Sequence, residues 1–387
     1  MRSNDTVLRQ KKAVFRRNLR EDLKAAGYRV RLSGKSDWKV TAPSRKAQER
    51  AMRGLRFEQI ELERSFAERL EAKGILNLLG DATIQVQDIN PEIKICRSVA
   101  DHELFRYAKL FQHVPTTNRV GRQVRCLVYD VGQAPKRLMG VFELSSGPYT
   151  MGARDAYLNW SGVDRKGVKD RGLRRLMDLA TIVALPPYNI LLGGKLIASL
   201  AMSDVVVREV RRRYRSELLG VVATSATGLH CAILNRIGLR PGGLFSRIGQ
   251  TSGYSTLGFS PRTLGAARAF LPGFVSAPEG EFSKSVRPIH VLRVAMRNCG
   301  IGSSTILQSS YPKGVYLGVL HTADLDALRS GRGRRARGVA IETILAYWKA
   351  KYLAKAVVSG SRQEALRSFV RSGPIPVSRR KRTRCSG

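Results

Sequence analysis

The sequence predicts an α/β (α+β) fold, a mixed central sheet with flanking helices, and helical regions at both ends. Three observations predict it. Two β-rich runs, Gln123–Asp130 and Arg137–Ser145, are joined by a turn-like stretch and read as a hairpin. Short β-branched runs then alternate with helix-length segments up to about residue 260. Before residue 80 and after residue 260, apolar residues recur at helical rather than strand spacing.

Taken in order, Leu8, Val14, Phe15, Leu19 and Leu23 form a first helical stripe between basic residues, stopped by Gly27. A short segment containing Trp38 follows, and Pro43-Ser44 opens a second helix towards Gly74, with Leu55, Ile60, Leu62, Phe66 and Leu70 on its face. Gly80-Asp81 and Pro91 punctuate the exit. A helix over 101–112 precedes the hairpin, whose turn spans 132–136. The polar stretch 152–175 leads to an apolar strand at 180–185 and a Pro186-Pro187-Tyr188-Asn189 turn. One long helix is expected over 192–218, then a strand at 220–224, a short helix at 229–237 and an extended run at 244–248. Ser260-Pro261 and Arg287-Pro288 start further helices, and 340–357 is the most regular of them. The expected organisation is a basic helical region over 1–85, the α/β core over 90–260, a helical region over 261–365 and a basic tail, read as disordered, over 366–387.

Charge decides the class of partner. The 387 residues carry 68 Lys and Arg against 30 Asp and Glu, a formal net charge of +38. A polyanion suits such a chain, because each cation placed on a phosphate releases a condensed counterion. Double-stranded DNA is the expected partner. A membrane is not, since there is no apolar run near the roughly 18 residues a span needs and no lipidation motif. The charged N-terminus lacks the apolar stretch of a signal peptide, so a cytoplasmic location is expected. Five cysteines without a C-x-x-C pair and five dispersed histidines predict neither a disulfide framework nor a metal site.

Four constellations could carry chemistry. In the segment 184–200, a strand, a tight turn and Gly193-Gly194-Lys195 open a helix. Its unpaired N–H groups and the Lys195 charge suit a phosphate-bearing ligand, with Tyr188, Asn189 and Leu192 beside them. Equally, the glycines serve close strand–helix packing. The second constellation is Arg154, Asp155, Tyr157 and Trp160, followed by Arg165, Lys166 and Lys169. Asp155 is a candidate general base, and the aromatic and basic residues are candidates for stacking and phosphate contact; a helix cap and a core Trp are the structural alternative. The third joins 224–230 to 246–254, with Thr251 and Ser252 as phosphate-binding hydroxyls and Tyr254 as a candidate acid. The fourth comprises Arg211, Arg212, Arg213 and Arg215, then Arg332, Arg334, Arg335 and Arg337, with Arg380 and Lys381 in the tail. All are candidates for backbone contacts that position nucleic acid without reading its sequence.

The order of hairpin, strand, glycine-bearing turn, helix, strand, short helix and strand resembles the N-acetyltransferase (GNAT) arrangement. That resemblance implies a coenzyme A-type ligand at 190–195, with Asp155, Tyr188, Asn189, Thr251 and Tyr254 lining the site and Tyr254 as the acid for the leaving thiolate. This sequence keeps one glycine of the phosphate signature and has Lys195 in its last place. A more specific resemblance covers residues 90–360. GRQVRCLVYD at 121–130, RDAYLNW at 154–160, LPPYNILLGGKL at 185–196, TSATGLHCAILNRIG at 224–238 and RIGQTSGYSTLGF at 247–259 resemble the DruA family. That resemblance implies a component of an anti-phage defence system, with other defence proteins, including a helicase, as partners. Two other readings stand beside it. One is a strand-cleaving, transposase-like protein of a mobile element using Asp155, Asp164, Asp170 and Glu342; the other is a binding module without turnover.

Overall fold

The computed structural model describes residues 2–33, 37–41, 44, 50, 56–57, 59–112, 121–225, 228–238, 244–251, 259–271, 288–302, 306, 312–319 and 321–374. They fall in two compact units, one drawn from 1–55 and 252–312, the other from 56–251 and 313–387.

The chain opens the smaller unit with α1 (Arg2–Ala25) and an antiparallel hairpin, β1 (Arg29–Ser33) and β2 (Asp37–Thr41). Phe15, Leu19 and Leu23, four residues apart, are fully buried, while Arg9, Lys11 and Arg17 stay exposed. Gly27, at φ +85°, ends the helix in the left-handed cap that only glycine adopts without strain.

The larger unit takes over with α2 (Arg64–Ala72), β3 (Pro91–Ile95), α3 (Val99–Lys109), β4 (Gln123–Asp130), β5 (Arg137–Ser145), α4 (Gly152–Tyr157), α5 (Lys166–Arg174), β6 (Leu176–Ala184), α6 (Gly193–Leu200), α7 (Asp204–Tyr214), β7 (Gly220–Thr224) and β8 (Phe245–Gln250). The chain returns to the smaller unit for α8 (Pro261–Ala269) and α9 (Pro288–Asn298). There Phe270, Leu271, Val291, Leu292 and Met296 cover the apolar stripe of α1, and the Phe15 and Phe270 rings meet edge-on at 5.5 Å. It closes in the larger unit with β9 (Gly314–Val319), α10 (Thr322–Ser330), α11 (Ile341–Trp348), a π-turn at Lys349–Leu353, α12 (Ala354–Val357) and α13 (Gly360–Arg367).

The seven-stranded sheet runs β3-β4-β5-β6-β7-β9-β8. Every neighbouring pair is antiparallel except β6 and β7, which run parallel with Leu176 to Asp178 beside Gly220 to Val222. Side-chain alternation splits the core between its faces. Cys126 and Val128 join the cluster under α6, α7 and α11, whereas Leu127 and Tyr129 join that of α2 and α3. With both faces covered, β5 is buried from Leu138 to Ser145, hence its nearly unbroken apolar run.

Three sequence expectations are corrected by distant contacts. The expected helix over 192–218 is two helices. Val339 donates its N–H to Met202 O at 3.1 Å and accepts from Asp204 N at 3.0 Å, so the chain opens at Ser203. The expected helix at 229–237 is a series of turns, because Lys195 Nζ binds the carbonyls of Ala232, Ile233 and Asn235. Finally, 314–319 within the region read as helical is strand β9. Its partners β7 and β8 lie far away in sequence, and six apolar residues alone do not distinguish a strand from a buried helix segment.

Candidate nucleic-acid interface

Arg154 and Asp155 lie in α4, 1% and 4% exposed. Arg154 Nε and Nη2 donate to Asp155 Oδ1 at 2.9 and 2.7 Å, and its other bonds go to the carbonyls of Pro148 and Tyr149. Lys169 Nζ and the Met151 N–H take Asp155 Oδ2 at 2.9 and 3.1 Å. Burial pushes the Asp155 carboxyl up, but its bonds from Lys169, Arg154 and Met151 outweigh that and hold it below the usual carboxylate range. Trp160 is 2% exposed and donates Nε1 to Leu328 O at 2.9 Å, inside α10. The structure thus brings Arg154, Asp155 and Trp160 together as a satisfied buried network. Arg165 lies at the start of α5 beside the exposed Asp164, 3.8 Å away.

The glycine-bearing turn is equally committed. Tyr188 is fully buried and donates its hydroxyl to Asp130 at 2.9 Å; burial and that carboxylate push its pKa far up. Asn189 and Leu192 belong to the turns that precede α6, Leu192 at φ +61° with its carbonyl bonded by Trp348 Nε1. Gly193 donates its N–H to Tyr188 O at 2.9 Å, and a Cβ on Gly194 would meet Ile233 at 3.4 Å. Lys195 is spent on three carbonyls and the Gly193 N–H on Tyr188 O, so two of the groups expected at a phosphate are engaged within the chain.

At the far end of the sheet, Thr251 and Ser225 clamp the start of β9. Thr251 Oγ1 accepts from Lys313 N at 3.0 Å and Ser225 Oγ from Gly314 N at 3.0 Å. Lys313, a single lysine among loop residues and so without a signal in the sequence, has its pKa lowered by burial. Ser252, Tyr254, Arg380 and Lys381 lie outside the described residues. Asp155, Asp164, Asp170 and Glu342 do not converge, and among the described residues no group of three His, Cys, Asp or Glu could hold a metal ion. No helix among them is long and apolar enough to cross a membrane.

The basic clusters divide sharply. Arg211 makes a bidentate pair with Glu217 at 2.7 Å for each bond, and Arg212 one with Glu209 at 2.9 and 2.8 Å. Arg334 Nε binds the buried Asp324 at 2.5 Å. Among the described residues, no hydrogen bond or ion pair engages the guanidinium of Arg332, Arg335 or Arg337, and all three are exposed.

Their loop, residues 331–338, is nevertheless held in place. Gly331, at φ +73°, caps α10 by donating to Ala327 O at 2.9 Å. Arg175 binds the Arg332 carbonyl. Ala336 donates its N–H to Glu217 Oε2 at 2.9 Å and accepts from Arg211 Nη2 at 2.8 Å. Gly338 abuts α7 so closely that a Cβ would lie 2.2 Å from the Asp204 Cα. Gly338→Val is therefore expected to push the loop off α7 and cost about 1–3 kcal/mol, read as a lower urea midpoint. Arg335 and Arg337 line both a cavity of about 930 Å³ along α10 and one of about 360 Å³ along α7.

A family model described as Druantia protein DruA matches residues 68–285. The Druantia protein DruA of Escherichia coli (strain UMEA 4076-1) is 29% identical over 262 residues, covering 63% of this chain and 61% of the relative. The chain thus spans less than two thirds of that relative's length. No solved structure matches.

Proposed function

From the premise that the chain belongs to the DruA family, we propose that it is a DNA-binding component of an anti-phage defence system, gripping the duplex by its phosphates. The observation that carries this reading is the fate of its charges. The chain has 68 basic residues against 30 acidic ones, and in the larger unit Arg125, Arg154, Arg212, Arg211 and Arg334 are matched by the carboxylates of Glu143, Asp155, Glu209, Glu217 and Asp324. Among the described residues, Arg332, Arg335 and Arg337 are exposed with no carboxylate on their guanidiniums. Unmatched exposed cations destabilise a chain through self-repulsion unless a polyanion meets them.

The strand order, with a hairpin leading to a strand, a glycine-bearing turn, helices and a parallel strand, supports a GNAT-like scaffold for the core. The filled turn at Tyr188 to Lys195 argues against acyl transfer from coenzyme A on it, so the scaffold serves here to present binding surfaces. Other defence proteins, a helicase among them, are the proposed partners.

Titration of a labelled duplex at rising salt tests the reading. Affinity is expected to fall by roughly 10³-fold or more between about 50 and 200 mM salt, as for proteins that neutralise six or more phosphates. Binding that stays unchanged over that range overturns it.

A further inference from the structure

We infer that the loop 331–338 is a sequence-independent clasp for the phosphodiester backbone of a nucleic-acid duplex; the inference rests on the nucleic-acid reading above. The loop lies outside the residues matched by the family model. Three features assign it. First, its backbone is fixed from beneath by Gly331 on α10, Arg175 on the Arg332 carbonyl, and Glu217 with Arg211 on Ala336. A cation held on such a support loses less freedom on meeting a phosphate than one on a loose tail. Second, burial alternates: Arg334 is half-buried against Asp324 and Ala336 is buried, while Arg335 and Arg337 are exposed. The carboxylates beneath the loop, Asp324 and Glu217, are thus taken by Arg334 and Arg211, leaving the guanidiniums of Arg332, Arg335 and Arg337 for an external anion. Arg335 stands near enough to Glu217 to help hold that carboxyl down, but Glu217 is already bound bidentately by Arg211.

Third, the cavities on either side of Arg335 and Arg337 have no Phe, Tyr or Trp in their walls. Single strands are gripped by stacking bases on aromatic rings. A wall of guanidiniums with one imidazole, His321, and no larger ring fits a partner whose bases are stacked away inside a duplex and whose outside is phosphate. One carboxylate, Asp326, lines the larger cavity and opposes such a ligand.

The test uses the full chain and fluorescently labelled duplexes of two unrelated sequences, with a single strand of equal length, measured by anisotropy over a salt series. One variant carries Arg332→Ala, Arg335→Ala and Arg337→Ala. A charge-matched control carries Lys73→Ala, Lys355→Ala and Arg367→Ala, all exposed and none lining either cavity. The loop variant is expected to bind both duplexes at least about 10-fold more weakly than the control and to lower the salt slope by roughly 2.7, about 0.9 for each lost phosphate contact. The same three positions changed to Lys should keep the slope, which shows that charge rather than folding is read. Asp326→Asn should tighten duplex binding a few-fold. Equal loss in loop variant and control overturns the clasp, since the charge then acts diffusely. A greater loss on the single strand than on the duplex overturns the duplex assignment. Failure of the wild-type chain to bind any duplex overturns the broader reading of function instead, so the two failures are distinguishable.

Discussion

Asp155→Ala is expected to lower the unfolding free energy by about 3–5 kcal/mol, the cost of removing one partner from a buried ion pair. Arg154, 1% exposed, would keep its two carbonyl acceptors but lose the carboxylate that balances its charge. Lys169, whose ammonium also sits over the Tyr149 ring, would lose its anion as well. Asp155→Asn, which keeps an acceptor but not the charge, should fall between the two. Urea unfolding followed by circular dichroism reads the change as a lower midpoint at constant slope. A fall below about 1 kcal/mol for the alanine variant would show that water reaches the pair.

The same network has a pH signature. The folded Asp155 carboxyl titrates below its ordinary value, so its stabilisation is fully present above that value and is lost as pH falls through the lower, folded one. Wild-type stability should therefore drop on acidification below about pH 4, and Asp155→Ala should show a shallower drop across the same window.

Trp160→Ala carries an expected loss of similar size, about 3–5 kcal/mol, because a large buried side chain is replaced by a cavity. The ring lies where Gly172 of α5 leaves room for it, since a Cβ there would sit 2.1 Å from the ring. It also carries the bond to Leu328 O in α10, directly ahead of the arginine loop. Trp160→Phe should cost less in packing but leave that buried carbonyl without its donor, about 1–3 kcal/mol. Because α10 positions Arg332, both variants are expected to weaken duplex binding at temperatures where they remain folded. Unchanged binding by a folded Trp160→Ala protein would show that the loop holds its place through Arg175, Glu217 and Arg211 without this bond.

Much of the fold was readable because the signals are local. The bounds of β4 and β5 coincide with the hairpin read from alternation and turn residues. Ser260-Pro261 opens α8 as a capping serine with proline in the first turn should, its hydroxyl accepting from Thr263 N. The candidate site was less readable. Arg211, Arg212, Arg334 and Arg335 look alike in sequence, yet the first three are neutralised by Glu217, Glu209 and Asp324 and the last is exposed. The glycine-bearing turn read as a phosphate cradle because Lys195 follows its glycines. What engages that lysine is the backbone of residues 232–235, about forty positions downstream.

The sequence by itself determined the α/β class, the β4–β5 hairpin with several further strands and helix starts, the excess of cations and the family resemblance. Each rests on periodicity, composition or ordered motifs, which survive in one dimension. Only the tertiary structure decided that 314–319 enters the sheet between β7 and β8, that the helix after Gly193 breaks at Ser203, and which arginines meet a carboxylate. The reason is physical. A strand is stabilised by neighbours that need not be near in sequence, and a charge is neutralised by whatever carboxylate or carbonyl lies within a few ångströms of it.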